Sequence, residues 1–282
     1  MKKVLVLLLL LLPVIQSLRA QNNNNSVLDG VYVKEHTLKR GVIPYPFIRE
    51  ADVFYKTRIW RVIDLKEKTN LPLYYPTSKI RDRKSLINVI MDAVNEGTLT
   101  AYKDEEFISP MTKAEVEAIG GSRVDTQMVT DPDPPYEQHM KAVPLEFSRE
   151  WVIAYRIKEE WLFDKQRSVM EPRILGIAPM MLERDEKMNV RPDAKRVPLC
   201  WIYYPEARRI LANAESFNRW NDAERKSFDD IFVKRMFGSY ITKQSNVYDR
   251  RIEDYKTGMD ALLEADKIKD DLVNFEHDLW EY

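Results

Sequence analysis

A short apolar run closed by Tyr-Tyr-Pro occurs twice in this chain, once as Leu71-Pro72-Leu73-Tyr74-Tyr75-Pro76 and once as Val197-Pro198-Leu199-Cys200-Trp201-Ile202-Tyr203-Tyr204-Pro205. In each copy the aromatic and β-branched residues have strand character, the closing proline cannot donate to a ladder, and an amphipathic helical pattern follows within a few residues. A strand that feeds a helix, repeated in the two halves, points to an α+β architecture. We read it as two small lobes, each with short strands followed by amphipathic helices, plus a C-terminal helix. At 282 residues the chain can bury a full core without staples.

The N-terminus reads as an export signal. Lys2 and Lys3 precede an apolar run from Val4 to Ile15, and Ser17-Leu18-Arg19-Ala20 leads into Gln21, so residues 1–20 are expected to be a cleaved signal peptide. A membrane anchor needs about 20 apolar residues, and this run is shorter. Loss of Lys2, Lys3 and Arg19 leaves 41 basic against 45 acidic residues, a net charge of −4. Such a balance gives no bulk attraction to nucleic acid or to an anionic membrane, and no nucleic-acid partner is expected. The single cysteine, Cys200, lies far from the cleavage point. It can neither carry a lipid there nor pair in a disulfide, and a lone thiol in an apolar strand reads as a small core residue.

Past the signal, residues 21–46 read as a flexible Asn-rich leader and an extended arm ending at Pro44 and Pro46. Residues 47–125 form the expected first lobe. Within it Ile48, Ala51, Tyr55, Ile59, Val62 and Ile63 fall at mostly helical spacing, which predicts a helix from Arg49 to Asn70, with Trp60 widening its core face. Asp82 or Ser85 caps a helix with the face Leu86, Val89, Ile90, Ala93 and Val94, stopped by Gly97. Thr98–Lys103 and Glu106–Ile108 read as short strands, and Thr112-Lys113-Ala114-Glu115 as a capping box. Residues 126–144 read as a Pro/Asp-rich linker, because Asp131-Pro132-Asp133-Pro134-Pro135 continues neither regular structure. An EF-hand loop starting at Asp131 fails, since its sixth and twelfth places hold Tyr136 and Ala142. Residues 145–257 form the second lobe, where Trp151, Ile153, Tyr155 and Ile157 alternate and the Arg173–Met181 run follows.

Catalytic motifs do not appear. The sequence has no G-x-G-x-x-G, Walker A, G-x-S-x-G, H-E-x-x-H or C-x-x-C pattern, and His36, His139 and His277 have no zinc-site spacing. Only 8 glycines stand against 15 prolines and 30 aromatics, a composition for packing and contact surface more than for phosphate-cradling loops. No catalytic, cofactor-binding or metal residue is therefore predicted.

Residues 258–282 are expected to form an acidic amphipathic helix. Ala261, Ala265, Ile268, Leu272, Phe275 and Leu279 follow a 4, 3, 4, 3, 4 spacing, and the segment carries a net charge of −6. A seam of under three heptads suits docking on the chain's own core or on a partner. Trp280 and Tyr282 at the extreme terminus favour a contact role, so the seam residues with Trp280 and Tyr282 are the predicted partner-binding set.

Several separate segments carry a family likeness: Arg58-Ile59-Trp60-Arg61-Val62-Ile63-Asp64-Leu65-Lys66-Glu67-Lys68-Thr69-Asn70, then Pro72-Leu73-Tyr74-Tyr75-Pro76, Tyr155-Arg156-Ile157-Lys158-Glu159-Glu160-Trp161, Arg173-Ile174-Leu175-Gly176-Ile177-Ala178-Pro179 and Asp278-Leu279-Trp280-Glu281-Tyr282. Together they resemble the GldN/PorN family of gliding-motility proteins, over nearly the whole mature chain. The resemblance implies a non-catalytic periplasmic component of the type IX secretion system. It further implies a ring of such subunits under the outer membrane, bound to a GldK/PorK-like lipoprotein and in contact with the periplasmic domain of a GldM/PorM-like motor protein. The alternative is a periplasmic enzyme or small-ligand carrier whose site is assembled from scattered residues, which a deep apolar pocket with converging polar groups would mark.

Overall fold

The structure, a computed structural model, describes residues 40–80, 83–130, 138–145, 147–185, 189–218, 221 and 223–279. The predicted signal peptide and Asn-rich leader, the acidic-proline run at 131–137, and Trp280 and Tyr282 lie outside the described residues. In chain order the first elements are β1 (Val53–Asp64), α1 (Leu71–Tyr74), α2 (Leu86–Asn95), β2 (Ala101–Tyr102), β3 (Pro110–Met111), α3 (Lys113–Ile119), β4 (Arg123–Thr130) and β5 (Gln138–Leu145). There follow β6 (Val152–Asp164), β7 (Val169–Leu182), β8 (Arg196–Pro198), β9 (Trp201–Tyr203) and α4 (Tyr204–Asn213). The last are β10 (Glu215–Ser216), β11 (Lys226–Ser227), α5 (Phe228–Val233), β12 (Tyr240–Gln244) and α6 (Met259–Asp278). The α+β class read from the sequence is the class observed.

Eight strands make one antiparallel sheet in the order β12-β1-β6-β7-β9-β2-β3, with β8 beside β7. The segments 47–125 and 145–257 therefore share a sheet: β1 of the former lies between β6 and β12 of the latter. The reason is in β1 itself. Ile59 and Ile63 are buried on one face and Trp60 and Val62 on the other, so this strand finds cover only in the sheet interior.

That two-sided burial also explains why a strand stands where the spacing predicts a helix from Arg49 to Asn70. An interior strand reads as a near-continuous apolar run, and such a run mimics helical periodicity. Three further predictions change for local reasons. The first Tyr-Tyr-Pro copy is the helix α1 instead of a strand, opened by Pro72 in its first turn. The second copy does pass from strand to helix, at β9 and α4. The described residues of the expected linker, 126–130 and 138–144, are strand: β4 and β5 form a two-stranded ribbon from Arg123 opposite Leu145 to Thr130 opposite Gln138. Pro144 is tolerated because a ribbon has two free edges. Instead of a strand at 106–108 there is a loop, with Phe107 at φ 60°, and the strand follows at Pro110.

Other predictions hold. Ser85 caps α2, its Oγ accepting from the Asn88 N–H, and Gly97 takes the positive φ just past its end. Thr112 and Glu115 form both halves of the capping box that opens α3.

Alternation in the strands sets two unlike faces. Ile63, Tyr155, Ile157, Ile177 and Ile202 meet α2, α4 and α5 in the main core, while Ile59 and Ile241 meet Ala265, Ile268 and Leu272 of α6. All four helices thus cover the Ile59/Ile63 face. The opposite face holds two smaller clusters, one of Trp60, Ala178 and Trp201 under Tyr102 and Phe107, the other of Val62, Ala154 and Met180. These are built from strand and loop residues.

Candidate functional site

The face that the helices leave is chemically the more unusual. Register puts Lys158 of β6 opposite one side of Trp60 and Lys243 of β12 opposite the other. Their ammonium groups lie 5.8 and 4.4 Å from the Trp60 ring centroid, and Lys158 also lies 5.7 Å from the ring of Phe107. Both lysines are buried, at 4% and 7% exposure, so each charge needs a partner. Lys158 Nζ donates to the Glu105 carbonyl at 2.7 Å, and Lys243 Nζ pairs with Asp249 at 2.6 Å. Trp60 Nε1 donates to the Glu105 carboxylate at 3.0 Å. Burial pushes the Lys158 ammonium below its ordinary value, against the pull of Glu105.

The loop carrying Glu105 is held by contact. Phe107 lies over Gly176, where a Cβ would come within 2.5 Å of its ring. Its ring meets Tyr102 and Tyr203 edge-on at 5.7 and 5.3 Å. Beside it opens a cavity of about 370 Å³, lined by Trp60, Glu105, Arg156, Lys243, Asp249 and Arg251 among others.

The helix-covered face has two buried ionic groups. Glu159, wholly buried, pairs with Arg235 at 2.9 Å and accepts from Trp161 Nε1 at 3.1 Å. Arg208 pairs with Asp229 at 2.9 Å, and Asp229 also accepts from the Tyr204 hydroxyl at 2.8 Å. This second group ties down the arm. Tyr45 lies 4.5 Å from the Arg208 guanidinium and 5.3 Å from that of Arg173. Arg208 donates to the Ile43 carbonyl and Arg173 to that of Pro46, at 2.8 and 2.6 Å. The described part of the expected extended arm, 40–46, thus runs against the chain's own body.

Of the predicted partner-binding residues, Ala265, Ile268 and Leu272 are buried against the sheet, with Ala261 packed beside them. Phe275 is half-buried, its ring 4.4 Å from that of Tyr55, and Leu279 is half-buried at the helix end. The seam is therefore brought together, facing inward. Outward stand Leu262, Leu263 and Val273, at 48%, 60% and 57% exposure, with Met259. These lie outside the seam spacing, at i, i+1 and i+11 away from the sheet. Sequence reading also missed Arg156, Lys158 and Lys243. The signal for Arg156 and Lys158 was the alternation Tyr155, Ile157, whose neighbouring positions must point to the other face, while Lys243 on β12 had no such local signal.

Cys200 is buried, and burial pushes its thiol up to about 12, the state of an inert core residue. A cavity of about 820 Å³ between α2 and α4 is rimmed by Lys84, Asp92, Glu96, Glu206 and Arg209, and Lys84 is already paired with Asp92. Among the described residues, no cluster of His, Cys, Asp and Glu is placed to hold a metal ion, and no helix is long and apolar enough to cross a membrane.

Fold and site define an α+β protein with one helix-covered face and one face of buried, ring-stacked cations, with apolar side chains exposed along its last helix. The chain belongs to the family described as gliding motility associated protein GldN, whose model matches residues 48–281. Comparison with curated proteins gives no match.

Proposed function

We propose that this protein is a non-catalytic structural component of the periplasmic ring of the type IX secretion and gliding machinery. The family match over residues 48–281 is the observation that carries this reading. In it the chain is exported by its N-terminal signal, which Ala20-Gln21 cleavage removes, and is held at the outer membrane through a GldK/PorK-like lipoprotein. Further copies of the chain form the ring by heterologous contacts, in which one face meets a different face of the next copy. The periplasmic domain of a GldM/PorM-like motor protein is a second partner.

Within this reading α6 is the partner-facing element. Its seam fixes it to the sheet, and Leu262, Leu263 and Val273 are presented outward between acidic residues. Co-purification of the tagged protein from membranes, with partner identification and negative-stain imaging, tests the proposal. The expected result is ring-shaped particles that contain the lipoprotein. A soluble monomer alone under gentle extraction would count against it.

A further inference from the structure

The cavity on the face opposite the helices has a feature that packing does not explain. Arg156 stands on β6, and its Nε is buried without a hydrogen-bond partner. A buried N–H in that state is costly, because it loses hydration without regaining a bond. The surrounding acids do not serve it. The Glu105 carboxylate accepts from Trp60 Nε1, Asp249 pairs with Lys243, and Asp254 accepts from the Arg251 backbone N–H at 2.7 Å. None of these acids forms an ion pair with Arg156. Burial, and next the field of Arg251, depress its basicity, while Glu105 and Glu253 oppose that shift. Lys243, 93% buried by its 7% exposure, lines the same space with its ammonium over Trp60.

We propose that this cavity binds an oxyanion group, the phosphate or carboxylate of a small ligand, gripped by the Arg156 guanidinium with Lys243 and Arg251 beside it. A guanidinium presents a planar fork that matches two oxygens of such a group, so the bound anion supplies the partner that the fold withholds. The cavity's roughly 370 Å³ admits a ligand of pyrophosphate or citrate size. The exposed Arg251 at its mouth closes over the anion, and the Trp60 ring forms part of its wall. The inference rests on these residues alone and holds whether or not the chain assembles in a ring.

Isothermal titration of the purified protein with pyrophosphate and, separately, with citrate tests the site and tells phosphate from carboxylate. Saturable one-to-one binding of at least one probe is expected. Arg156→Gln is expected to weaken it about tenfold or more, the loss of a charge-assisted bond. Arg251→Gln, at an exposed position, is expected to weaken it several-fold without disturbing the fold. Arg58→Gln, on the same face but paired with Glu160, leaves it unchanged. No saturable binding of either probe would overturn the proposal. So would equal affinity in wild type and Arg251→Gln when Arg156→Gln is folded and also binds normally. Should Arg156→Gln fail to fold, the Arg251→Gln titration decides.

Discussion

Asn70 is a buried side chain with every polar atom engaged. Its Nδ2 donates to the carbonyls of Asp64 and Gly238 at 2.8 and 2.9 Å, and its Oδ1 accepts from the Gly238 N–H at 2.8 Å. Wholly inaccessible, it joins the end of β1 to the turn before β12. Asn70→Ala strands the Gly238 N–H and carbonyl, and each such orphan costs on the order of 1–3 kcal/mol. We expect a stability loss of about 2–4 kcal/mol by urea denaturation, and a loss under 1 would refute this role.

Asp92 tests charge in the same way. Burial alone would raise its carboxyl, but hydrogen bonds from Lys84 and Arg149 outweigh burial and hold it below the ordinary range. A depressed folded value means its stabilisation is complete above the unfolded value of about 3.9 and is lost as pH falls through the folded one. Asp92→Asn should therefore be less stable than wild type at pH 7, with the gap closing below about pH 4. Melting temperatures measured across that range check it, and a constant gap would sink it.

At the scale of elements, α6 separates two roles by side. Leu272→Ala removes an inward anchor and should cost about 2–5 kcal/mol, whereas Leu263→Asp on the outer side should leave thermal stability within a few degrees and reduce partner co-purification. If Leu263→Asp unfolds the isolated protein, the outer side is structural and the contact role fails. The Glu105–Phe107 loop makes a second element test. Gly176→Ala places a methyl into the Phe107 ring, so the ring must leave its seat and Trp60 becomes wetter. A red-shifted tryptophan emission is expected in the folded variant, and an unchanged spectrum would show that the loop is not held there.

These elements also show what was legible. The α2 cap at Ser85, the Thr112 box and the α6 seam were readable because each is a local pattern whose successive members lie within four residues. The strand β1 was not. Its nature depends on neighbours about 100 and 180 residues away, as in Trp60 opposite Lys158 and Lys243, and no local window contains them. The same distance hid the ring-stacked cations: Lys243 reads as an ordinary surface lysine until β12 lays it on Trp60.

On the scale of the whole molecule, a central sheet is shared by the N-terminal and C-terminal halves, and the helices gather on one side. The described part of the arm is clasped by Arg208 and Arg173 through Ile43, Tyr45 and Pro46. The long strands β1, β6 and β7, of 12, 13 and 14 residues, lie side by side, with their ladder bonds perpendicular to the chain direction. Tension applied along that direction loads those bonds together in shear, so none can give way before its neighbours. The centre of the molecule is consequently stiff along one axis, and a pull entering at β1 leaves through β7 with little lost to stretch.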